Sequence, residues 1–314
     1  MDLVVGTAFS FGWEIALIKF LQSHMGAFAT AAASFFSVLG EEFFLVPVMG
    51  FLYWCYDKEL GKRVGLNLVT ALSWNAMLKN CFYRIRPYLE NPEIQCLKPV
   101  DSDSPVDDIV AQGWSFPSSH TTSSTAVYSS FPSFNRRSVA LRIIGIALPL
   151  LVGISRFCLG VHYPTDVLAG WLLGLATITI VTLLRSRIRN SLLLYALLLL
   201  TAVPGLFFCT TTDYYSAFGL MAGALGGFYF EEKAVHFRNT RSLLRSVLRL
   251  LGGIALFIGL LVVTKLPFSP ELLDSSVPAS RILRILRYAV STFAVTGLYP
   301  LIFRCTAKIG KPES

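Results

Sequence analysis

Charged side chains are scarce in this chain of 314 residues. Asp, Glu, Lys and Arg together make up only 15% of it, and 54% of its residues are hydrophobic. Soluble domains usually contain about 25% charged residues. A soluble protein of this length could not bury so much apolar surface, so the composition argues against a soluble enzyme and predicts a membrane protein with several spans.

Several other features are also missing. No tandem repeat or low-complexity tract is visible, and the six cysteines lack the spacing of metal ligands. The N-terminal stretch Met1–Phe11 carries Asp2 and no basic residue before its apolar run, so no signal peptide is expected. We expect no metal and no other cofactor.

Apolar segments long enough to cross a bilayer recur along the whole chain. Helices are the expected form, because a helix satisfies its own backbone groups inside a bilayer. The hydropathy pattern therefore predicts an all-α, polytopic bundle of about ten transmembrane helices. The predicted spans are 13–39, 42–56, 64–84, 118–134, 139–158, 162–184, 191–209, 214–230, 247–267 and 283–305.

Basic residues fall mainly in alternate connections between these spans, and this pattern orients the chain. Lysines and arginines near span ends resist translocation, so the connections that carry them are predicted to face the cytoplasm, together with both termini. The net charge of +8 is then explained by topology rather than by nucleic acid binding. Arg281, Arg284 and Arg287 are the exception, because the span count places them near the outer face. The basic connections are 57–63, 135–137, 185–190 and 231–245, followed by Arg304, Lys308 and Lys311.

Three short motifs lie near the other ends of these spans, on the predicted extracytoplasmic side. Together they hold three permanent cations, two of the four histidines and one carboxylate. Charged groups in membrane segments are costly unless they have a function, and a bound phosphate would offset that cost through charge-assisted hydrogen bonds. The motifs are Lys79-x6-Arg86-Pro87, Pro117-Ser118-Ser119-His120 and Ser155-Arg156-x5-His162-x3-Asp166.

Each motif alone has an ordinary structural explanation, such as an interfacial basic cluster, a helix start or an ion pair. The three in this order, across residues 40–185, resemble the type 2 phosphatidic acid phosphatase superfamily, which also includes glucose-6-phosphatases and vanadium haloperoxidases. The apolar composition argues against the soluble haloperoxidase branch. The superfamily usually has glycine where this chain has Ser119, and glycine permits a closer backbone approach to phosphate.

The predicted chemistry is hydrolysis of a phosphate ester through a phosphohistidine. His162 is the expected nucleophile, and its covalent step divides one difficult reaction into two. Asp166 lies four residues later and is expected to fix the tautomer of His162 and to stabilise its imidazolium form. His120 is expected to protonate the leaving oxygen and then to activate the attacking water.

The predicted phosphate ligands would neutralise the transition state, where most of the catalysis of phosphoryl transfer arises. Three are cations, and three are serines whose hydroxyl or backbone N–H groups would donate to phosphate oxygens. These ligands are Lys79, Arg86, Arg156, Ser118, Ser119 and Ser155.

Glu42 is a further candidate for substrate contact. It belongs to a Gly40-Glu41-Glu42 stretch that resembles one in sphingosine-phosphate phosphatases of the same superfamily. Its carboxylate would hold a substrate amine or an active-site arginine. The alternative is an exposed acid at the start of a helix.

These expectations combine into one interpretation, in which residues 1–189 form a six-helix phosphatase core and residues 190–314 form a C-terminal transmembrane extension of unassigned role. The resemblance implies an integral membrane phosphatase, in the cell membrane or in a eukaryotic endomembrane. Its substrate would be a polyprenyl diphosphate, a phosphatidate-type lipid or a sphingoid-base phosphate. A phosphatase of a soluble sugar phosphate and a lipid-phosphate binder or transporter are the alternatives. The Gly-rich runs at 219–223 and 226–227 allow close helix packing or a homodimer face.

Overall fold

The structure is a computed structural model that describes residues 9–133, 135, 137–273, 275 and 277–303. Helices make up its regular structure, and no β-strand occurs within those ranges, so the all-α prediction is confirmed. The predicted cytoplasmic termini and four of the basic residues lie outside the described residues: Arg136, Arg304, Lys308 and Lys311.

The α-helices are numbered along the described chain, and short 3-10 and π-helical turns lie between or after some of them. Their bounds are α1 (Gly12–His24), α2 (Ala27–Val38), α3 (Glu42–Phe51), α4 (Lys58–Phe82), α5 (Pro87–Glu90), α6 (Ile109–Gln112), α7 (Ser119–Tyr128), α8 (Val139–Cys158), α9 (Pro164–Arg187), α10 (Ser191–Ala202), α11 (Gly205–Phe208), α12 (Thr212–Phe230), α13 (Leu243–Val263), α14 (Pro270–Leu273) and α15 (Pro278–Phe293).

Five helical segments of the described chain are long and apolar enough to cross a membrane, which supports an integral membrane protein. They are α8, α9, Ser191–Phe208, α13 and Pro278–Phe303. The pair Ala27–Val38 and Glu42–Tyr56, bent by 47°, adds a sixth if it counts as one span. The count of about ten spans is therefore not confirmed.

The differences from the predicted spans have clear structural causes. The predicted span 13–39 is interrupted by a break between α1 and α2 at Met25 and Gly26, and the span 118–134 contains α7, a helix of only 10 residues. The span 214–230 lies within α12, and the span 64–84 overlaps α4, which ends at Phe82. Both helices are long enough to cross a bilayer, but their composition does not qualify them as spans.

The described chain divides into two compact units. One contains the described residues up to Leu45 together with Trp74–Ile178, and the other contains Val46–Ser73 and the described residues from Thr179 onward. All three sequence motifs belong to the first unit. The predicted domain boundary between residues 189 and 190 stays a prediction.

In the first unit, α7 is an internal helix built from hydroxyl side chains. Eight of its ten residues are buried, and the hydroxyl groups of Thr122 and Thr125 donate to backbone carbonyls one turn earlier, at 2.9 and 2.7 Å. Helix α9 packs closely on it, because a Cβ at Gly174 would lie 2.6 Å from the Cβ of Thr125. The starts of α7 and α9, which carry His120 and Asp166, are positioned by this contact.

In the second unit, three glycines of α12 pack against the C-terminal helix. Gly219 and Gly223 face the carbonyl oxygens of Ile285 and Ala289 in α15, and a Cβ at Gly219 would lie 2.5 Å from the first of them. Gly227 faces the side chain of Thr296. Small residues at intervals of four allow helix backbones to approach in this way, so the predicted close packing occurs within the chain.

The three arginines that broke the charge pattern follow one another along α15. The Nη2 group of Arg287 donates to the carbonyl of Leu261 at 3.0 Å, and the Nη2 group of Arg284 donates to the carbonyl of Leu273 at 3.4 Å. These carbonyls belong to the last turns of α13 and α14, which have no partners within their own helices. Two of the three arginines, Arg284 and Arg287, therefore cap helix ends, which gives them a structural role.

Candidate active site

Two of the predicted phosphate-binding cations are held by backbone carbonyls of the loop before α7. Lys79, in the last turn of α4, donates from Nζ to the carbonyl of Trp114. Arg86, just before α5, donates from Nε to the carbonyls of Gln112 and Gly113 at 3.0 and 2.9 Å. Both side chains are buried, so their positive charges act in a region from which water is largely excluded.

The third cation, Arg156, is bonded differently. It lies near the C-terminal end of α8 with only 1% of its surface exposed, and its Nη1 group donates to the hydroxyl oxygen of Ser37. Its Nε and Nη2 atoms are buried and have no hydrogen-bond partner. Buried N–H groups that lack a partner cost free energy, so this guanidinium is suited to receiving an anion.

His162 lies between a cation and a carboxylate. Its Nε2 atom is 3.2 Å from Nη1 of Arg86, and its Nδ1 atom is 3.4 Å from Oδ2 of Asp166 and 3.4 Å from the hydroxyl of Ser115. Since Nδ1 faces the carboxylate and Nε2 faces a donor, the tautomer protonated on Nδ1 is favoured. That tautomer leaves a lone pair on Nε2.

Asp166 lies in the first turn of α9, and several hydrogen-bond donors hold its carboxylate. Its Oδ2 atom accepts hydrogen bonds from the Ser115 hydroxyl and from the backbone N–H of Tyr163, the latter at 2.7 Å. Helix α9 begins at Pro164, so His162 lies in the turn before the helix. The approach of the two side chains therefore comes from this turn rather than from helical spacing alone.

Burial and nearby cations keep the imidazole of His162 neutral. Its pKa is lowered well below the ordinary value of 6.5, first by burial and then by the positive charges of Arg86, Arg156 and Lys79. Both effects disfavour the charged form of the ring. A neutral imidazole is the form that acts as a nucleophile.

His120 belongs to the same electrostatic environment. It lies in the first turn of α7, and its pKa is also lowered well below 6.5, with burial as the largest cause. Four nearby groups lower it further, namely Arg156, His162, Arg86 and Lys98. The structure thus brings both motif histidines and the three motif cations together in one unit.

The three predicted serine ligands all make hydrogen bonds within the protein. The backbone N–H of Ser118 donates to the carbonyl of Asp166 at 3.1 Å. The hydroxyl of Ser119 donates to Oδ1 of Asn75 at 2.8 Å, and that of Ser155 donates to a carbonyl one turn earlier in α8 at 2.7 Å. Their roles as phosphate ligands stay predictions.

Glu42 is exposed in the first turn of α3, and its contact with substrate stays a prediction. Its neighbour Glu41 lies closer to the site: its Oε1 atom is 2.5 Å from Nζ of Lys98. Both side chains of this pair are between a quarter and a third exposed. The charge of Lys98 reaches His120, so this ion pair lies beside the candidate active site.

The sequence motifs did not reveal two further charged residues of the site. Arg84 and Glu14 are both fully buried, and Arg84 bonds to Glu14 and to Asp166. One signal was available, because a buried acid within the apolar segment of α1 is costly unless it is paired. Within the described part of the chain, no group of three His, Cys, Asp or Glu residues is arranged to hold a metal ion.

Two protein-family models match this chain. A model of the PAP2 superfamily matches residues 61–190, and a model of the PAP2 superfamily phosphatase transmembrane extension matches residues 215–310. The chain therefore belongs to the PAP2 superfamily, and the resemblance carried by the three motifs is confirmed.

Similar curated proteins come from all three domains of life. An undecaprenyl-diphosphatase of Sulfolobus acidocaldarius is 26% identical over 54% of this chain and 78% of its own length. A probable sphingosine-1-phosphate phosphatase of Dictyostelium discoideum is 26% identical over 54% of this chain and 42% of its own. A phosphatidylglycerophosphatase B of Bacillus subtilis is 32% identical over 44% of this chain and 66% of its own. No solved structure matches the chain significantly.

Proposed function

We propose that this protein is an integral membrane phosphatase that hydrolyses a lipid phosphate or diphosphate through a phosphohistidine at His162. The observation that carries the proposal is the guanidinium of Arg156, whose two buried and unpartnered donors share a site with the neutral ring of His162. An anion-binding group beside a neutral nucleophile is what transfer of a phosphoryl group requires.

The reaction would proceed in two steps. Arg86, which lies 3.2 Å from Nε2 of His162, would turn its donor to a phosphate oxygen and so free the Nε2 lone pair. That lone pair attacks phosphorus, the bond to the leaving oxygen breaks, and that oxygen takes a proton from His120. Water then attacks the phosphohistidine, gives a proton to His120 and releases inorganic phosphate as the N–P bond breaks. Asp166, 3.4 Å from Nδ1, stabilises the positive charge that the ring of His162 acquires.

The cations would supply the electrostatic stabilisation. Lys79, Arg86 and Arg156 would bind the non-reacting phosphate oxygens, and the negative charge of the phosphate would offset the burial and repulsion that now keep His120 unprotonated. Three fixed cations would do this without a metal. Phosphate release should therefore persist in excess chelator, and turnover restored by one particular divalent ion would contradict metal independence.

The relatives act, by their names, on lipid phosphates of different kinds, and we propose the same general class here. Glu41 bears on the choice within it. Its partner Lys98 already neutralises this carboxylate, so the amine of a sphingoid-base phosphate would have to compete with a lysine. Glu41 therefore gives no support to a sphingoid base, and Glu42, exposed in the first turn of α3, stays the proposed amine contact for that class.

We also propose that the active site opens on the extracytoplasmic side, in the cell membrane or a eukaryotic endomembrane, with both termini cytoplasmic. The distribution of lysine and arginine among the connections, counted over the ten predicted spans, supports this orientation. A substrate phosphate at headgroup level in the outer leaflet would then reach the site from the membrane.

A phosphate-release panel on the purified protein tests the proposal. Polyprenyl diphosphate, phosphatidate, sphingosine phosphate and glucose 6-phosphate would be compared for the wild type and for His162→Ala, with lipid-phosphate binding measured in parallel. We expect hydrolysis of a lipid substrate by the wild type, and binding without turnover by the variant. Binding without turnover in both would identify a lipid-phosphate binder or transporter, and a preference for glucose 6-phosphate would identify a sugar phosphatase.

A further inference from the structure

Three fully buried charged side chains connect α1 to the catalytic histidine. Glu14 of α1, Arg84 after α4 and Asp166 of α9 each have no exposed surface. Nη2 of Arg84 lies 2.9 Å from Oε2 of Glu14, and Nη1 lies 2.6 Å from Oδ1 of Asp166. One guanidinium is thus shared by two carboxylates, on the side of Asp166 away from the His162 ring.

The guanidinium of Arg84 has little freedom to move. Its centre lies 3.9 Å from the ring centroid of Tyr163 and 4.3 Å from that of Phe9, so each ring packs against the planar group. Its Nη1 group also donates to the hydroxyl of Thr165 at 2.7 Å. Because the guanidinium of Arg84 is held in this way, it keeps Oδ1 of Asp166 in one position. Oδ2 of Asp166 is thereby kept towards His162.

Glu14 contacts the start of α9 in addition to its contact with Arg84. Its Oε1 atom accepts hydrogen bonds from the backbone N–H and the hydroxyl of Thr165, at 3.0 and 2.6 Å. That N–H is among the first of α9, which have no partner within the helix. Helix α1 therefore controls the position of Asp166 by two routes, through Arg84 and through the first turn of α9.

The charges of Glu14, Arg84 and Asp166 also act on the ring of His162, apart from the positions that these residues fix. Two carboxylates and one guanidinium carry a net charge of −1, and all three are buried. On its other sides His162 faces cations, which oppose any positive charge on its ring. If Glu14 were neutral, the charge of Asp166 would be cancelled by Arg84, and no net negative charge would stabilise the imidazolium. Arg86, Ser115 and Asp166 lie within 3.4 Å of the His162 ring, and the charges of Arg156, Lys79 and His120 act on it from farther away.

We propose that Arg84 and Glu14 are positioning residues that hold Asp166 against His162 and supply the net negative charge that stabilises the His162 imidazolium during turnover. The proposal rests on the proposed function for its catalytic consequence. Its electrostatic part concerns the ring of His162 alone and is measurable without any substrate.

The test compares Glu14→Gln with the wild type in the full-length protein. The substitution keeps the shape of the side chain and removes its charge. By NMR of isotope-labelled histidine, with the His162 signal assigned from His162→Ala, we expect the titration midpoint of His162 to fall by roughly one pH unit. For comparison, a unit charge acting over roughly 10 Å at an effective dielectric constant near 20 shifts a pKa by about one unit. Glu14→Asp keeps the charge, so the titration midpoint of His162 in this variant should stay close to the wild-type value.

The kinetic part separates positioning from substrate binding. We expect Glu14→Gln to lower kcat about tenfold, since one pH unit corresponds to a factor of ten, with KM and the Kd of vanadate changed less than about threefold. Arg84→Lys, which keeps the charge but loses the fork, should lower kcat further with KM again little changed. The matched control is Lys19→Gln, which breaks the exposed Lys19–Glu93 pair on the same helix and should leave kcat and the His162 midpoint unchanged.

Two outcomes would overturn the proposal. An unchanged His162 midpoint in Glu14→Gln would show that its charge does not reach the ring, whatever the activity. A loss of kcat that only follows the loss of folded protein in thermal melts would show a structural role. If no substrate is hydrolysed even by the wild type, the proposed function fails, and the titration still decides whether Glu14 and Arg84 act on His162.

Discussion

Replacing Arg156 with methionine should strongly weaken anion binding without weakening the fold. Two of its donor nitrogens, Nε and Nη2, are buried without a partner, and two unsatisfied buried donors cost about 2–6 kcal/mol. Methionine removes that cost and fills similar space, while the lost bond to Ser37 costs about 1.5–3 kcal/mol. The free energy of unfolding should therefore stay within about 1 kcal/mol of the wild-type value or rise.

The loss of binding follows from the same two donors. If each makes a charge-assisted hydrogen bond to an oxyanion, the pair contributes about 3–6 kcal/mol, which corresponds to a factor of about 10²–10⁴ in Kd. Vanadate at 100 times its Kd stabilises a protein by about 2.7 kcal/mol. With Kd raised a hundredfold, the same concentration would contribute only about 0.4 kcal/mol.

Thermal melts in detergent or nanodiscs, with and without vanadate, measure both effects at once. The wild type should melt higher with vanadate, and Arg156→Met should melt at or above the ligand-free wild type with almost no response to vanadate. Arg86→Met is the contrasting variant, because it leaves the carbonyls of Gln112 and Gly113 without their donor and should melt lower. A methionine variant at 156 that still responds to vanadate, or that unfolds much more easily, would refute the reasoning.

Three further predictions concern packing, titration and topology. Gly223→Ala should lower the melting temperature because its Cβ would meet the carbonyl of Ala289, whereas Gly259→Ala, with no atom within 4 Å, should raise or preserve it. The His162 ring of the ligand-free protein should titrate below pH 6.5, since burial and cations lower its pKa; an NMR midpoint above 6.5 would contradict this. Single cysteines at Asp103 and Arg187, in a background without the native ones, should label oppositely with an impermeant thiol reagent in intact cells, and labelling at Arg187 alone would invert the proposed orientation.

The sequence predicted which motif residues come together in the candidate site, but not the contacts that connect them; the catalytic roles of these residues stay predictions. Motif order was enough to bring His120, His162 and Arg156 into one site, because each motif lies at a helix end. It was not enough to find Arg84, which lies two residues before Arg86 and is indistinguishable from an interfacial arginine until its carboxylate partners are located. Glu14 is separated from Arg84 by 70 residues, and only the tertiary structure brings them together.

The predicted number of spans is larger than the number of candidate spans in the described chain, for a related reason. Hydropathy treats every helix of a membrane protein as facing lipid, but α7 and α12 are largely buried among other helices. A helix surrounded by protein can be short, as α7 is, or carry tyrosine and glycine, as α12 does. Helices of this kind fall short of the length or the apolarity expected of a span, so a count that includes them stays a prediction.

The arginines of α15 have a consequence for how the protein is made. An arginine within a span opposes membrane insertion, by roughly 2.5–3.5 kcal/mol at the centre and less towards the ends. Pro278–Phe303 is the least apolar of the five candidate spans, whereas α13 is the most apolar. Helix α13 leaves the ribosome first and presents the carbonyl of Leu261 that Arg287 binds. Because α13 is synthesised first, the carbonyl of Leu261 is present before Arg287 is made. Helix α15 therefore inserts when the hydrogen-bond acceptor of its arginine already exists.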